Sequence, residues 1–271
     1  MKLKAALDLV RGMLSGVAAD GSESDWIACE ALGKRRGELG LIGDISDTDA
    51  EKMLSLARER ATGKPLWQVF GYTDFAGYRI EVDENVLCPR PETEELAQMA
   101  ASLCRRGDSV LDLCTGSGCI AVYLAKESGA CVTACDLSEK ALEVAERNAR
   151  NNAADVKFVL SDLFGSIDGK FRLIASNPPY IPSEDIDGLD SEVKDHEPRM
   201  ALDGGRDGLD FYRRIAAEAP SYLEDGGYLL LETGDGQAEA VAAMLRGFRT
   251  KIVRDLEGKE RMIAARLCGR N

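Results

Sequence analysis

Histidine is almost absent from this chain. His196 is the only one in 271 residues. It stands in a stretch that reads as a loop, where a polar residue is its plainest role, so chemistry that turns on a histidine base has little support. Basic runs are also scarce. The longest is Lys34-Arg35-Arg36, which reads as a solvated helix face, in a chain of formal net charge −13. Proteins that wrap nucleic acid need a dense basic surface, and this balance counts against such a partner without ruling out a local patch. Apolar runs stop well short of the ~18 residues that would suggest a membrane span. The opening MKLKAALDLVRGML carries Asp8 and Arg11 where a secretory signal needs an unbroken apolar core. A cytoplasmic protein without membrane contact is expected. Its cysteines at 29, 88, 104, 114, 119, 131, 135 and 268 are then expected to be reduced thiols, several of them small hydrophobes inside strands. Cys131 and Cys135 begin an iron–sulfur spacing, but Ser138 stands where the next cysteine would be needed, and no metal is expected.

What is present is periodicity of two kinds. Residues 1–63 read as a helical bundle: Leu3, Leu7 and Val10 fall on one helix face, Ser22-Glu23-Ser24-Asp25 opens a second helix, and Asp47-Thr48-Asp49 a third. Gly63-Lys64-Pro65 breaks the pattern. Residues 64–87 read as a linker with a β-hairpin, rich in aromatic and β-branched residues and punctuated by Gly71 and Gly77. In CPRPETEEL, Pro91 followed by Glu92, Glu94 and Glu95 suits the first turn of a helix. From residue 109 strands and helices alternate. Strands are expected at 110–114, 131–136, 156–160, 171–176, 227–233, 249–255 and 260–267, and helices through Lys126, after Ser138, near 209–219 and at 236–246. That alternation implies a mostly parallel sheet covered by helices on both faces. The short Glu257-Gly258-Lys259 connection makes the last strand antiparallel to its predecessor.

DLCTGSGCIAVYLA places Gly116 and Gly118 directly after the first strand of that sheet, where glycine permits a sharp turn and close approach to a ligand. Only part of the dinucleotide fingerprint is met. Asp136 ends the second strand, eighteen residues after Gly118, where a ribose-binding carboxylate belongs. NAD and S-adenosylmethionine (AdoMet) both use such a residue. NAD also needs a helix N-terminus for its pyrophosphate. AdoMet carries an ammonium instead, which Asp112 could help orient through the loop backbone or water. In the AdoMet reading, Asp162 of SDLF accepts from the adenine amino group and Phe164 packs near the ring. A turn or helix cap explains Asp162 equally well.

LIASNPPYIP, residues 173–182, ends the fourth strand in an asparagine held by prolines. If the first and fourth strands are adjacent, Asn177 lies beside the glycine loop at the switch point of the sheet. Methyl transfer to a planar nitrogen fits these groups. Such a nitrogen is a weak nucleophile whose lone pair is delocalised, and it carries two N–H donors. The Asn177 side-chain carbonyl and the Pro178 backbone carbonyl can accept both, aiming the lone pair out of plane. Pro178 and Pro179 stiffen the acceptors, and Tyr180 offers a flat face to the planar group. Positioning then supplies most of the rate. NPPY alone leaves open whether the nitrogen belongs to adenine or to glutamine.

Seven segments together carry a resemblance over essentially the whole chain: PLWQVFGYTDFAGYRIEVDENVLCPRPETEEL, DLCTGSGCIA, CDLSEKALEVAERNA, SDLF, SNPPYIP, EPRMALDGGRDGLDFYRRI and LLLETGDGQ. The chain resembles the peptide-chain release factor glutamine N5-methyltransferases of the HemK/PrmC type. The resemblance implies a Rossmann-like class I AdoMet-dependent methyltransferase domain at 88–271, with a seven-stranded sheet, after a partner-binding helical domain. It implies methylation of the glutamine in the GGQ loop of class I release factors. On the same basis Cys114, Thr115, Gly116, Ser117 and Gly118 hold the methionine end of AdoMet, Asp136 binds the ribose and Phe164 lies near the adenine, with Asp112, Leu137, Asp162, Leu163 and Asn177 also expected at the cofactor. Asn177, Pro178, Pro179 and Tyr180 hold the glutamine. Glu197 and Arg199 are expected to shape the pocket edge, while Arg90 to Thr93 border the site without an assignable role. A monomer is expected. An N6-adenine methyltransferase, or an inactive AdoMet-binding module docking a translation partner, are the alternatives. Acidic charge opposes the first, and the intact NPPY and Asp136 oppose the second.

Overall fold

The computed structural model describes residues 1–17 and 21–269, and the chain divides into two compact units at Gly71/Tyr72. In the first, helices α1 (Leu3–Leu14), α2 (Ser22–Leu32), α3 (Asp47–Arg60) and α4 (Leu66–Phe70) surround an apolar core. Helix α1 buries Leu3, Ala6, Val10 and Leu14, a spacing of three and four that puts one stripe inward. Ser46 caps α3 by accepting from the Asp49 N–H at 3.0 Å. Arg60 is buried and held by Glu23, Nε to Oε2 2.6 Å. Helix α4 lies where the hairpin was expected to begin. Pro65 sets its entry and Gly71, at φ 74°, closes it, so the aromatic run is divided between a helical turn and a strand.

The second unit opens with the hairpin β1 (Tyr72–Phe75) and β2 (Tyr78–Glu81), turned by Ala76 and Gly77 at φ 47° and 90°. The hairpin is thus packed with the second unit, rather than forming a separate linker. After α5 (Pro91–Leu103) come β3 (Ser109–Leu113), α6 (Cys119–Glu127), β4 (Cys131–Asp136), α7 (Glu139–Asn151), β5 (Val156–Leu160) and β6 (Phe171–Ser176). The short helices α8 (Ser191–Lys194) and α9 (Arg199–Leu202) precede α10 (Asp210–Tyr222), β7 (Leu223–Glu232), α11 (Ala238–Met244), β8 (Phe248–Arg254) and β9 (Glu260–Leu267). The seven-stranded sheet has the order β5-β4-β3-β6-β7-β9-β8. Strands β3 to β7 are parallel, and β9 runs antiparallel to both β7 and β8. This is the expected α/β architecture. Central strands β3 and β6 are almost continuously buried because helices cover both faces.

Strand β7 begins earlier than the sequence reading, at Leu223. The Glu224-Asp225-Gly226-Gly227 stretch looks like a turn, yet it is carried within the strand through a register shift between Phe171 and Leu173 of β6. Because the chain runs from β3 out through β4 and β5 on one side and then crosses to β6 on the other, the strand order reverses between β3 and β6. Ligands bind at such a point, above the carboxyl ends of the strands.

Candidate active site

The loop after β3 is built on three left-handed residues, Cys114 (φ 59°), Gly116 (φ 53°) and Gly118 (φ 80°). The two glycines do different work. A Cβ on Gly116 would meet nothing within 4 Å, and the residue lines an open cleft. A Cβ on Gly118 would lie 2.9 Å from the Ala145 Cβ of α7. Gly118 therefore serves helix packing rather than ligand approach, and it lies outside the cleft lining. Beneath the loop, Asp112 is fully buried and accepts from Thr115 Oγ1 at 2.5 Å. Burial pushes its carboxyl up to about 7. It braces the loop from below and does not line the cleft.

Asp136, at the end of β4, does line the cleft. Its Oδ2 accepts from the Gly116 N–H and its Oδ1 from the Ser138 N–H, both at 2.9 Å. The carboxylate is thereby fixed in place, with further lone pairs available for a vicinal diol. Burial raises its pKa, opposed by these backbone donors. Leu137 beside it is 55% exposed, an apolar side chain left at the cleft wall. Thr115, Ser117 and Cys114 complete this side.

The segment after β5 departs from expectation at one residue. Asp162 and Leu163 line the cleft, and Asp162 is paired with Arg214 of α10 at 2.8 Å. Phe164 does not line it. Leu163 takes φ 49°, which turns the next side chain into the core. There Phe164 stacks on Tyr222, with centroids 4.6 Å apart and planes at 18°.

Asn177 and Pro179 follow β6 and line the cleft opposite the glycine loop. Pro178 is buried beside them. Tyr180 is packed against the core below, and burial pushes its hydroxyl up to about 12, so it stays neutral. Its carbonyl accepts from Gln237 Nε2 at 2.8 Å, while Gln237 Oε1 accepts from the Gly234 N–H at 3.0 Å. Gly204 and Gly208 press against the same backbone. Cβ atoms there would fall 2.7 Å from Tyr180 Cα and 2.3 Å from Tyr180 O. Gly204 and Gly208 of DGGRDG are thus explained by close approach to the Pro-Pro-Tyr turn, while Gly205 between them packs against the Asp210 side chain.

The PRPET segment, which had no role from sequence, is gripped at both ends. Arg90 Nη2 contacts both Glu197 oxygens, at 2.8 and 2.7 Å, and the Cys88 N–H reaches Glu197 Oε1 at 3.3 Å. Glu197 is buried behind the cleft wall formed by Pro198 and Met200; it holds that wall rather than lining the cleft. Arg199 pairs outward with Asp187 and Asp203. Thr93 Oγ1 donates to Glu232 Oε2 at 2.7 Å and accepts from Asn177 Nδ2 at 3.2 Å. His196 lies in the turn between α8 and α9. Among the described residues no His/Cys/Asp/Glu group is arranged to hold a metal ion, and no helix is long and apolar enough to cross a membrane.

Asn148 was also missed. It is fully buried on α7 and ties the hairpin to the glycine loop, donating to Glu81 O and Ser117 O and accepting from the Glu81 N–H. Its signal was present: an amide on the otherwise apolar stripe of Ala141, Leu142, Val144, Ala145 and Ala149. Glu232 had a similar signal, an acid ending the apolar run of β7.

Residues 93–189 match the family model described as the Methyltransferase small domain. A release factor glutamine methyltransferase of Geobacter sulfurreducens is 39% identical over 98% of this chain and 96% of its own length. The chain belongs to the release factor glutamine methyltransferase family. A family member from Deinococcus radiodurans is 43% identical over 82% of this chain and 81% of its own. Among solved structures, a methyltransferase from Pyrococcus furiosus superposes with a TM-score of 0.56 at 21% identity, over 71% of this chain and 90% of that one. A 16S rRNA methyltransferase of T. thermophilus, solved with AdoMet and guanosine, gives 0.51 at 17% identity, over 72% and 49%. At these identities the two structures speak for the methyltransferase fold alone. Both segments that carry the family likeness most specifically, PRPETE and EPRMALDGGRDG, are the ones that clamp the Asn-Pro-Pro-Tyr turn.

Proposed function

We propose that the chain transfers a methyl group from AdoMet to the side-chain amide nitrogen, N5, of the glutamine in the GGQ motif of class I release factors. The observation that carries this is the fixed asparagine. Asn177 gives its NH2 to Thr93, so its carbonyl oxygen remains the acceptor at the cleft wall. The residues present suit AdoMet. The Asp136 carboxylate takes the ribose hydroxyls, the Cys114 to Ser117 turn takes the methionine end, and Leu163 with Asp162 borders the adenine in place of Phe164. Bound there, AdoMet supplies an electrophilic sulfonium methyl.

Asn177 Oδ1 and the Pro178 carbonyl accept the two N–H hydrogens of the target amide. This holds the amide plane so that its lone pair points at the methyl carbon. On transfer the methyl would leave sulfur for this nitrogen, and one amide proton would pass to water. Alkylation makes that proton strongly acidic, so no strong base is required and His196 has no part. A glutamine on a protein loop suits a chain of net charge −13, a balance that counts against a nucleic-acid partner. The protein acts as a cytoplasmic monomer in this reading, and its helical unit binds the release factor.

The test is mass spectrometry of a release factor incubated with AdoMet and the protein. One added methyl on the GGQ glutamine is expected, and Asn177→Ala should abolish it while AdoMet still binds. Label on DNA but not on protein would overturn the proposal, and full turnover by Asn177→Ala would overturn the two-acceptor geometry.

A further inference from the structure

The orientation of Asn177 is decided one layer behind it. Thr93 has a single hydroxyl proton, and Glu232 Oε2 takes it at 2.7 Å. The Thr93 oxygen can then only accept from Asn177, so it faces the amide nitrogen and not the amide oxygen. Turning the amide over would set Asn177 Oδ1 against a hydroxyl with no proton to give and beside an acidic side chain. Burial pushes the Glu232 carboxyl up to about 7, opposed by its hydrogen bonds with Thr93 and Asn177, so it takes the Thr93 proton in its ionised form. All three groups come from different elements: Thr93 from the first turn of α5, Asn177 from the end of β6 and Glu232 from the end of β7. Thr93 is 3% exposed and Glu232 2%, so water does not compete for these bonds.

We infer that Thr93 and Glu232 are positioning residues which lock the Asn177 amide with its carbonyl oxygen toward the substrate nitrogen. This deepens the proposed function and rests on it. The lock gives the PRPET segment a task in turnover: it carries the group that keeps the acceptor from becoming a donor. An asparagine free to turn would present NH2 to the NH2 of the target, and the repulsion would remove the alignment on which the rate depends.

Thr93→Val keeps the volume and removes the hydroxyl, and Thr93→Ser restores it. In Thr93→Val, kcat for release-factor methylation should fall by about tenfold or more, as expected for a misaligned reacting group. The AdoMet Kd by calorimetry should stay within roughly twofold, because no bond between Thr93 and the glycine loop or Asp136 is involved. Thr93→Ser should recover kcat to within about threefold of the parent. Selective 15N labelling of asparagine supplies a readout apart from turnover. The Asn177 side-chain NH2 pair should exchange slowly in the parent and in Thr93→Ser, and faster in Thr93→Val.

Unchanged kcat in Thr93→Val overturns the lock. So does an equal loss of AdoMet affinity without rescue by serine, which marks a structural role only. If the parent fails to methylate the release factor, the functional proposal fails instead, and the lock is then judged on amide exchange. Unchanged Asn177 exchange in Thr93→Val rejects it.

Discussion

Alanine at Gly208 would test whether close packing behind the Pro-Pro-Tyr turn is needed for both folding and turnover. Gly208 has φ +73°, and a Cβ there would lie 2.3 Å from the Tyr180 carbonyl oxygen and 2.6 Å from Gln237 Nε2. Those two atoms are hydrogen-bonded to each other at 2.8 Å, so the added methyl lands inside the bond. Three costs follow. Left-handed backbone strain is about 1–2 kcal/mol, the broken hydrogen bond about 1 kcal/mol and the forced shift about 1–3 kcal/mol. The lower entropy of the unfolded alanine chain offsets ~0.4–1 kcal/mol. A net loss of about 3–4 kcal/mol is expected for Gly208→Ala. Gly258, in the turn between β8 and β9, isolates the packing component. It has φ +85° and nothing within 4 Å of its would-be Cβ, so Gly258→Ala should cost only about 1 kcal/mol. Denaturant titration of the full chain supplies the measurement. Both tryptophans, Trp26 and Trp67, lie in the first unit, so their fluorescence tracks that unit while circular dichroism sees both. Gly208→Ala should shift the dichroism transition well beyond Gly258→Ala. Its methylation rate should also drop while AdoMet affinity holds. Equal stability losses in the two variants, with equal turnover, would refute the packing argument.

Asp136→Asn should weaken AdoMet binding by roughly 10- to 100-fold by calorimetry, because an amide cannot accept from both the Gly116 and Ser138 N–H groups and still serve a diol; an unchanged Kd would remove Asp136 from the cofactor site. Asp112 titrates near 7 in the fold against 3.8 outside it, raised chiefly by burial. The folded chain therefore holds a proton that the unfolded chain has released, and stability falls as pH rises from about 4 through 7. Asp112→Asn removes that charge yet can still accept from Thr115. It should flatten the stability–pH curve over this window by up to about 4 kcal/mol; a slope identical to the parent's would show that Asp112 does not carry it.

The parts of the site readable from sequence are those whose signal is local. Asp136 is found because it ends an apolar strand at a fixed distance from a glycine turn, and Asn177 because prolines on its C-terminal side admit few other readings. Phe164 was misplaced for a reason that no spacing reveals. A left-handed Leu163 exchanges which of two neighbouring apolar residues meets the cleft, and leucine gives no hint of positive φ. Gly118 was misread because a glycine needed by a helix neighbour and one needed by a ligand look alike in sequence; only the 2.9 Å approach to Ala145 separates them. The bonds made by Thr93, Glu232, Arg90 and Glu197 lay beyond local reading, since each joins a partner more than a hundred residues away or, for Thr93 and Asn177, 84 away. Their types were nonetheless informative. A buried acid at the end of an apolar strand must find a donor, and a threonine in the first turn of a helix has a hydroxyl to give. What the fold adds is the direction of the proton. Once Glu232 takes it from Thr93, the asparagine has one orientation left, and that orientation makes it an acceptor.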